Sequence, residues 1–236
     1  MTLLPERSSG KELLDIPSEQ GDFPEFAQSM AEIRAVNRFL GGTTPVIKHL
    51  EEIVRVCGNR PVRILDVATG SADIPVAIAD WARRKGIDVK ITAVDVNPNV
   101  IRVAAAHVEG YPEIALVRAD GFRLPFKAGS FDIVTCSLTL HHFVEEDTSR
   151  FLHNITSHAG MGYIIGDLRR SWAAYALFSL VTAFILRNRF TRHDGLLSIL
   201  KSYTPDELER LAGEAGLSGF RVLKHPFWRM ALVGGR

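Results

Sequence analysis

Four acids, two adjacent histidines and two adjacent arginines carry the chemical interest of this chain. Asp66 closes a short apolar, β-branched run, Val62 to Val67. It is followed by Ala68-Thr69-Gly70-Ser71-Ala72, all small, and then by the helical spacing of Ile74 to Trp81. A strand, a tight small-residue turn and a helix bring backbone N–H groups and a helix N-terminus against a ligand, and a bulky side chain at 68, 70 or 72 would hold that ligand away. Asp95 ends a second run, Val89 to Val94, and precedes Val96 and Asn97. In an open α/β sheet the ligand sits outside the carboxyl ends of the strands, where an acid on the second strand can accept both hydroxyls of a ribose. Asp120 follows a third run and precedes Gly121 and Phe122.

These groups need elements to position them. The spacing predicts strands over 62–67, 89–95, 114–118 and 131–136, with helices over 73–84 and 98–108 between the first three. A fifth strand is expected at Gly162 to Leu168. A last helix starts at Thr204, where Pro205 and Glu207 complete a capping box, and two final strands meet at His225-Pro226 in an antiparallel hairpin. Strand–helix alternation means a parallel sheet with right-handed crossovers. Ahead of the sheet lie a loose arm, a helix over 25–40 ended by Gly41-Gly42, and a second helix running from Thr43 or Thr44 to about Val56. Arg34, Asn37 and Arg38 share one face of the first.

Asp66-x-Ala-Thr-Gly-Ser-Ala-Asp73, Asp95, Asp120-Gly121 and Phe131-Asp132-Ile133-Val134 stand in the order of the class I S-adenosylmethionine-dependent methyltransferases, which the chain resembles from about Arg63 onward. Within that superfamily the loop looks most like the ubiquinone/menaquinone-biosynthesis type. The resemblance implies an α/β, Rossmann-like fold: a seven-stranded, mostly parallel sheet with its last strand antiparallel, N-terminal helices, and a helical lid inserted after strand five. Residues 1–60 form the arm and helical cap, and 61–236 the methyltransferase domain, with the lid at about 171–203. The superfamily's first and third loop glycines are Ala68 and Ala72 here, which alanine tolerates if φ stays negative. A nicotinamide dinucleotide site would ask for G-x-G-x-x-G, and this turn lacks it.

By that resemblance the cofactor is S-adenosylmethionine, leaving as S-adenosylhomocysteine. It would be held by Asp66, Ala68, Thr69, Gly70, Asp95, Val96, Asn97, Asp120, Gly121, Phe122, Ser137 and Leu138, with Arg34 and Arg38 on its carboxylate. The fourth strand runs into Ser137-Leu138-Thr139-Leu140-His141-His142. A histidine there can take a proton from a phenol or hydroxyl, and Asp167 can orient a substrate hydroxyl, so His141, His142 and Asp167 are the catalytic candidates. No metal is expected: neighbouring side chains seldom aim at one ion, and no second cluster has ligand spacing.

The lid is apolar with a basic end. Trp172 to Leu186 is 15 residues without a charge, short of the about 20 a membrane span needs. Arg169, Arg170 and His193 are its substrate candidates. A small, hydrophobic, phenolic or quinol-type acceptor fits it, methylated on oxygen or on carbon; a thiol or carboxylate acceptor is the alternative, and a non-catalytic scaffold the alternative of another class. Nothing basic enough for nucleic acid appears, with Lys+Arg 28 against Asp+Glu 27. An RNA or protein methyltransferase would need such a face, or an Asn/Asp-Pro-Pro-Tyr-like motif where Ser137-Leu138-Thr139-Leu140 stands. Two cysteines, Cys57 and Cys136, suit reduced thiols in a cytoplasm, and Met1 to Arg7 lack a signal-peptide layout. A monomer or homodimer is expected, with peripheral membrane contact through 172–189 as a further expectation.

Overall fold

The computed structural model describes residues 4–10, 12, 23–55, 60–184 and 189–235, and for 181–184 and 189–191 the backbone alone. The expectations placed on Cys57 and on the end of the apolar stretch at 185–188 lie outside the described residues.

Seven strands form one sheet in the order β3-β2-β1-β4-β5-β7-β6: β1 Val62–Val67, β2 Val89–Asp95, β3 Ile114–Arg118, β4 Phe131–Ser137, β5 Ala159–Leu168, β6 Arg221–His225 and β7 Arg229–Gly235. The first five run parallel, and β7 is antiparallel to both β5 and β6. Alternate residues of each strand feed opposite faces. Ile64 packs with Val46, Leu50, Ile78 and Trp81 of α2 (Thr44–Val54) and α3 (Asp73–Lys85). Leu65 and Val67 pack on the other face, with Phe151, Leu152 and Ile155 of α5 (Glu145–Thr156) and Leu208 and Leu211 of a later helix, Pro205–Glu214. Each fully buried aliphatic contributes about 1.5–3 kcal/mol, so the two layers lock the sheet from both sides.

The sequence reading places nearly every strand within a residue or two and misses two helices, α5 and one in the lid. The segment of α5 opens on Glu145-Glu146-Asp147, acids that suit a helix N-terminus, yet its apolar stripe is short. In the lid, α6 (Trp172–Phe184) is followed by an unforeseen α7 (Arg189–Lys201), which packs against it because Gly195 leaves room for the Phe178 ring. Helix α8 (Pro205–Glu214) starts at the foreseen capping box: Thr204 Oγ1 accepts from Glu207 N, and the Glu207 carboxylate accepts from Thr204 N. Among the described residues no helix is long and apolar enough to cross a membrane.

Ahead of the sheet, α1 (Phe23–Phe39) lies across the carboxyl edge. It packs on α4 (Pro98–His107) through Met30, Val100 and Val103. At that edge Asp66 is 1 % exposed and is held by Thr135, whose hydroxyl donates to Oδ1 at 2.6 Å. Burial pushes its carboxyl up to about 7. The folded chain therefore keeps a proton that the unfolded chain has already lost, so this group's stabilisation is full below the ordinary carboxylate range and is lost as pH rises through about 7. Asp66→Asn removes that dependence. Denaturant unfolding of both proteins at about pH 5 and about pH 8 should show the variant gaining on the wild type at the higher pH; a constant difference contradicts the assignment.

Candidate functional site

A cavity of about 530 Å³ opens at the carboxyl ends of β1, β2, β4 and β5, within the size range of small-molecule sites. Its floor is the loop after β1, Ala68 to Ser71. One side is Asp95, Val96, Asn97 and Val100, the opposite side Ser137 to Thr139 with His141 and His142. The lid helices and the Phe227–Arg229 hairpin tip close the end beyond Arg169, while Met30, Ile33 and Asn37 of α1 form the roof.

The loop departs from the expected backbone. Ala68 has φ 55° and Ala72 φ 63°, as left-handed as Gly70 at 56°. The expectation of negative φ at both alanines is wrong: the loop keeps the conformation of a glycine-rich turn without the glycines, at about 1–2 kcal/mol per residue. What fixes it is Asp95. Its Oδ2 accepts from Gly70 N at 3.1 Å and its Oδ1 from Asn97 N at 3.0 Å, so one carboxylate ties the β1 loop to the β2 loop. Burial raises its pKa, while those two amides act to lower it. Asn97 also caps α4 through Asn99 N. A side chain on Gly70 would point into open space, its nearest neighbour Met30 Cε at 4.0 Å, so the loop presents bare backbone to the cavity.

A buried hydroxyl in this wall, Ser137 Oγ, has no hydrogen-bond partner among the described residues. Buried polar atoms in a folded protein are nearly always paired, so an orphan lining a cavity marks where a polar ligand would bond. The donor and acceptor set, with the Asp95 carboxylate at the second strand's end, fits a ribose-bearing cofactor such as S-adenosylmethionine.

Across from Asp95 a short 3₁₀ turn, Leu140–His142, carries the histidines. His141 is 3 % exposed and its Nδ1 lies 2.7 Å from Asp167 Oδ1; its backbone N donates to Asp167 Oδ2 at 3.1 Å, and Leu168 N donates to Oδ1. Burial pushes the Asp167 carboxyl up, but the His141 ring and these amides outweigh it and leave the group below its ordinary range. An ionised Asp167 fixes the proton of His141 on Nδ1, leaving Nε2 as a lone-pair base. His141 lines the cavity; Asp167 stands behind it. His142 stacks beside it, ring centroids 4.4 Å apart.

An unforeseen residue meets both rings. Glu12, from the N-terminal arm, has Oε1 3.9 Å from His141 Nε2 and Oε2 3.8 Å from His142 Nε2. The arm is seated on α7: Arg7 donates to the carbonyls of Lys201 and Phe143 and stacks over the Tyr203 ring at 4.1 Å. Ligand atoms of Glu12, His141 and His142 lie within 4.8 Å of one another. The expectation that adjacent histidines do not aim at one point is therefore corrected, although Lys201 Nζ, at 3.1 Å, is already paired with Glu12. No local pattern could have shown this contact.

Other expected residues fall outside the walls. Asp66 supports the loop from below. Asp120 is exposed and accepts from Phe122 N. Phe122 packs edge-on against Phe143 and Phe151, and a Cβ on Gly121 would meet Phe151 at 2.7 Å, so these two serve the core. Arg34 and Arg38 also lie off the cavity, because α1 turns positions 26, 30, 33, 37 and 40 toward it; Asn37 is the polar residue it offers there. Arg170 binds Ser202 O and Glu207, joining β5 to α8, and His193, with a side chain 52 % exposed, pairs with Asp194. Arg169 does line the cavity, as does Arg229, which the sequence reading passed over.

Residues 64–162 match the family model described as a methyltransferase domain. Demethylmenaquinone methyltransferase of Chlorobaculum tepidum is 30% identical over 111 residues, 46% of this chain and 42% of that protein. The ubiquinone/menaquinone biosynthesis C-methyltransferase of Rickettsia bellii is 30% identical over 95 residues, 39% and 38% of the two chains. The matched part thus spans less than half the length of these curated relatives. Among solved structures, a SAM-dependent methyltransferase from Aquifex aeolicus superposes with TM-score 0.63 at 17% identity, covering 92% of this chain and 99% of that one, which speaks for the fold alone. By the match over 64–162 and the seven-stranded order, this chain resembles the S-adenosylmethionine-dependent methyltransferases, those of ubiquinone and menaquinone biosynthesis among them.

Proposed function

We propose that this protein methylates a small, hydrophobic, phenolic or quinol-type acceptor with S-adenosylmethionine, on oxygen in preference to carbon. The observation that carries the reading is the His141–Asp167 pair in the wall of an apolar cavity, facing the Asp95-tethered loop. A carboxylate acceptor is already ionised at neutral pH and has no use for a base, and a thiol, with a pKa of about 8.5, needs less help than a phenol or quinol hydroxyl at about 10.

When bound, S-adenosylmethionine supplies an electrophilic methyl group on a sulfonium. Asp95 would take its ribose hydroxyls, and Thr69, Gly70 and Asn37 would surround its amino-acid end. His141 Nε2 removes the acceptor hydroxyl's proton, leaving an oxyanion, or, for a quinol, a ring carbon made nucleophilic by that oxyanion. Asp167 holds the ring and stabilises the imidazolium, and the neighbouring Glu12 carboxylate adds to that stabilisation. The lid and the arm keep water from the deprotonated acceptor.

Two outcomes follow. Asp95→Ala should weaken S-adenosylhomocysteine binding by about 1–3 kcal/mol in calorimetry, through the lost acceptor and the freed loop; unchanged affinity refutes the ribose assignment. His141→Ala should lower turnover of a phenolic acceptor about a hundredfold or more while cofactor affinity stays. Full activity in that variant would leave positioning alone as the source of rate.

A further inference from the structure

At the lid end of the cavity two guanidinium groups have no hydrogen-bonded acid among the described residues, although Asp167 and Asp73 act on Arg229 through space. Arg229, at the start of β7, is 4 % exposed; its Nε donates to Leu40 O at 2.8 Å and one Nη to Asn37 Oδ1 at 3.2 Å, so two of its three nitrogens tie the sheet to the end of α1. The structure gives its other Nη no partner among the described residues. Arg169 follows β5, and its backbone N donates to Trp228 O at 2.7 Å, which sets the two arginines at the same end of the neighbouring strands β5 and β7. Its side chain makes no hydrogen bond or ion pair among the described residues, and its Nε is buried. The acids at this end are already engaged: Asp167 with His141, and Asp73 with Ser71 and Asn37.

Burying a cation without a partner costs several kcal/mol, and proteins rarely keep one unless something supplies the missing charge. Burial lowers Arg229 only to about 10, so it stays charged at neutral pH. The neighbouring wall is apolar, from Leu168, Ala174, Leu177, Phe178 and Phe227. A ligand matched to this end has an apolar body and an anionic oxygen within reach of a guanidinium fork.

We infer that Arg169 and the free Nη of Arg229 form an anion subsite for the acceptor, so that the substrate is an aromatic or alkyl-substituted phenolic acid rather than a neutral phenol. This rests on reading the cavity as the acceptor site. It separates the two arginines by role: Arg229 is half structural, whereas Arg169 has nothing to hold but the ligand.

The test uses the full chain saturated with S-adenosylhomocysteine and two probes, 6-pentylsalicylate and 3-pentylphenol, which share hydroxyl and alkyl chain and differ by a carboxylate. Calorimetry should show the wild type binding the salicylate about tenfold to a hundredfold more tightly, and Arg169→Gln should abolish that preference while keeping the affinity for 3-pentylphenol and for S-adenosylhomocysteine. Equal binding of the two probes by the wild type, failure of both to bind, or a variant that loses S-adenosylhomocysteine affinity instead (the arginine then reading the cofactor's own carboxylate) overturns the subsite. A wild type that binds no S-adenosylhomocysteine would overturn the methyltransferase reading itself, a result distinguishable from all of these.

Discussion

Three carboxylates at one edge of the sheet, two buried and one half-buried, govern the site. Asp66 near the end of β1, Asp95 at the end of β2 and Asp167 near the end of β5 all lie at or under the cavity. A buried carboxylate is costly unless donors meet it, and at a strand end the available donors are loop amides, hydroxyls and rings. Asp66 therefore takes Thr135, Asp95 takes Gly70 N and Asn97 N, and Asp167 takes His141 and Leu168 N. Asp66 thereby ties β1 to β4, and satisfying Asp95 and Asp167 pins the loops that line the cavity. Preorganisation here follows from solvation as much as from packing.

The pinning carries a cost that is visible in the backbone. Ala68, Ala72, Leu138, Phe227 and Trp228 all have positive φ, and every one except Ala72 lines the cavity. Such conformations persist only where the surroundings over-determine them, and they gather at functional sites. Leu138 is held by its amide on Gly166 O, and Trp228 by its carbonyl on Arg169 N. These bonds connect the strained residues to β5 and to the lid, so the acceptor end and the cofactor end share one rigid edge.

Much of this was legible beforehand, for physical reasons that also explain what was not. Strand–helix alternation and the Thr204 capping box are local signals, and they gave the sheet and α8 directly. The loop from Asp66 to Asp73 was readable as a ligand turn, but its backbone sign was not: alanine prefers negative φ, and Asp95 overrides that preference from another strand. On α1 the residues 34, 37 and 38 are neighbours on one face, yet only the packing on α4 decides that Asn37, and neither arginine, turns inward. Glu12 and Arg229 were invisible because no period or motif links them to the histidines or to Arg169; the register of β5 with β7 and the seating of the arm do that. Arg170 shows the converse, a charged residue beside a substrate candidate whose partners Ser202 and Glu207 make it part of the frame.

The central claim is that this cavity binds S-adenosylmethionine on the Asp95-tethered loop despite alanines where the pattern has glycines. Titration calorimetry of the wild-type chain with S-adenosylmethionine and S-adenosylhomocysteine tests it most directly. The account predicts one site per chain with micromolar affinity for both. Absence of binding heat for either ligand, in a chain shown to be folded, would mean that Ala68 and Ala72 close the loop and that the fold serves as a scaffold without the cofactor.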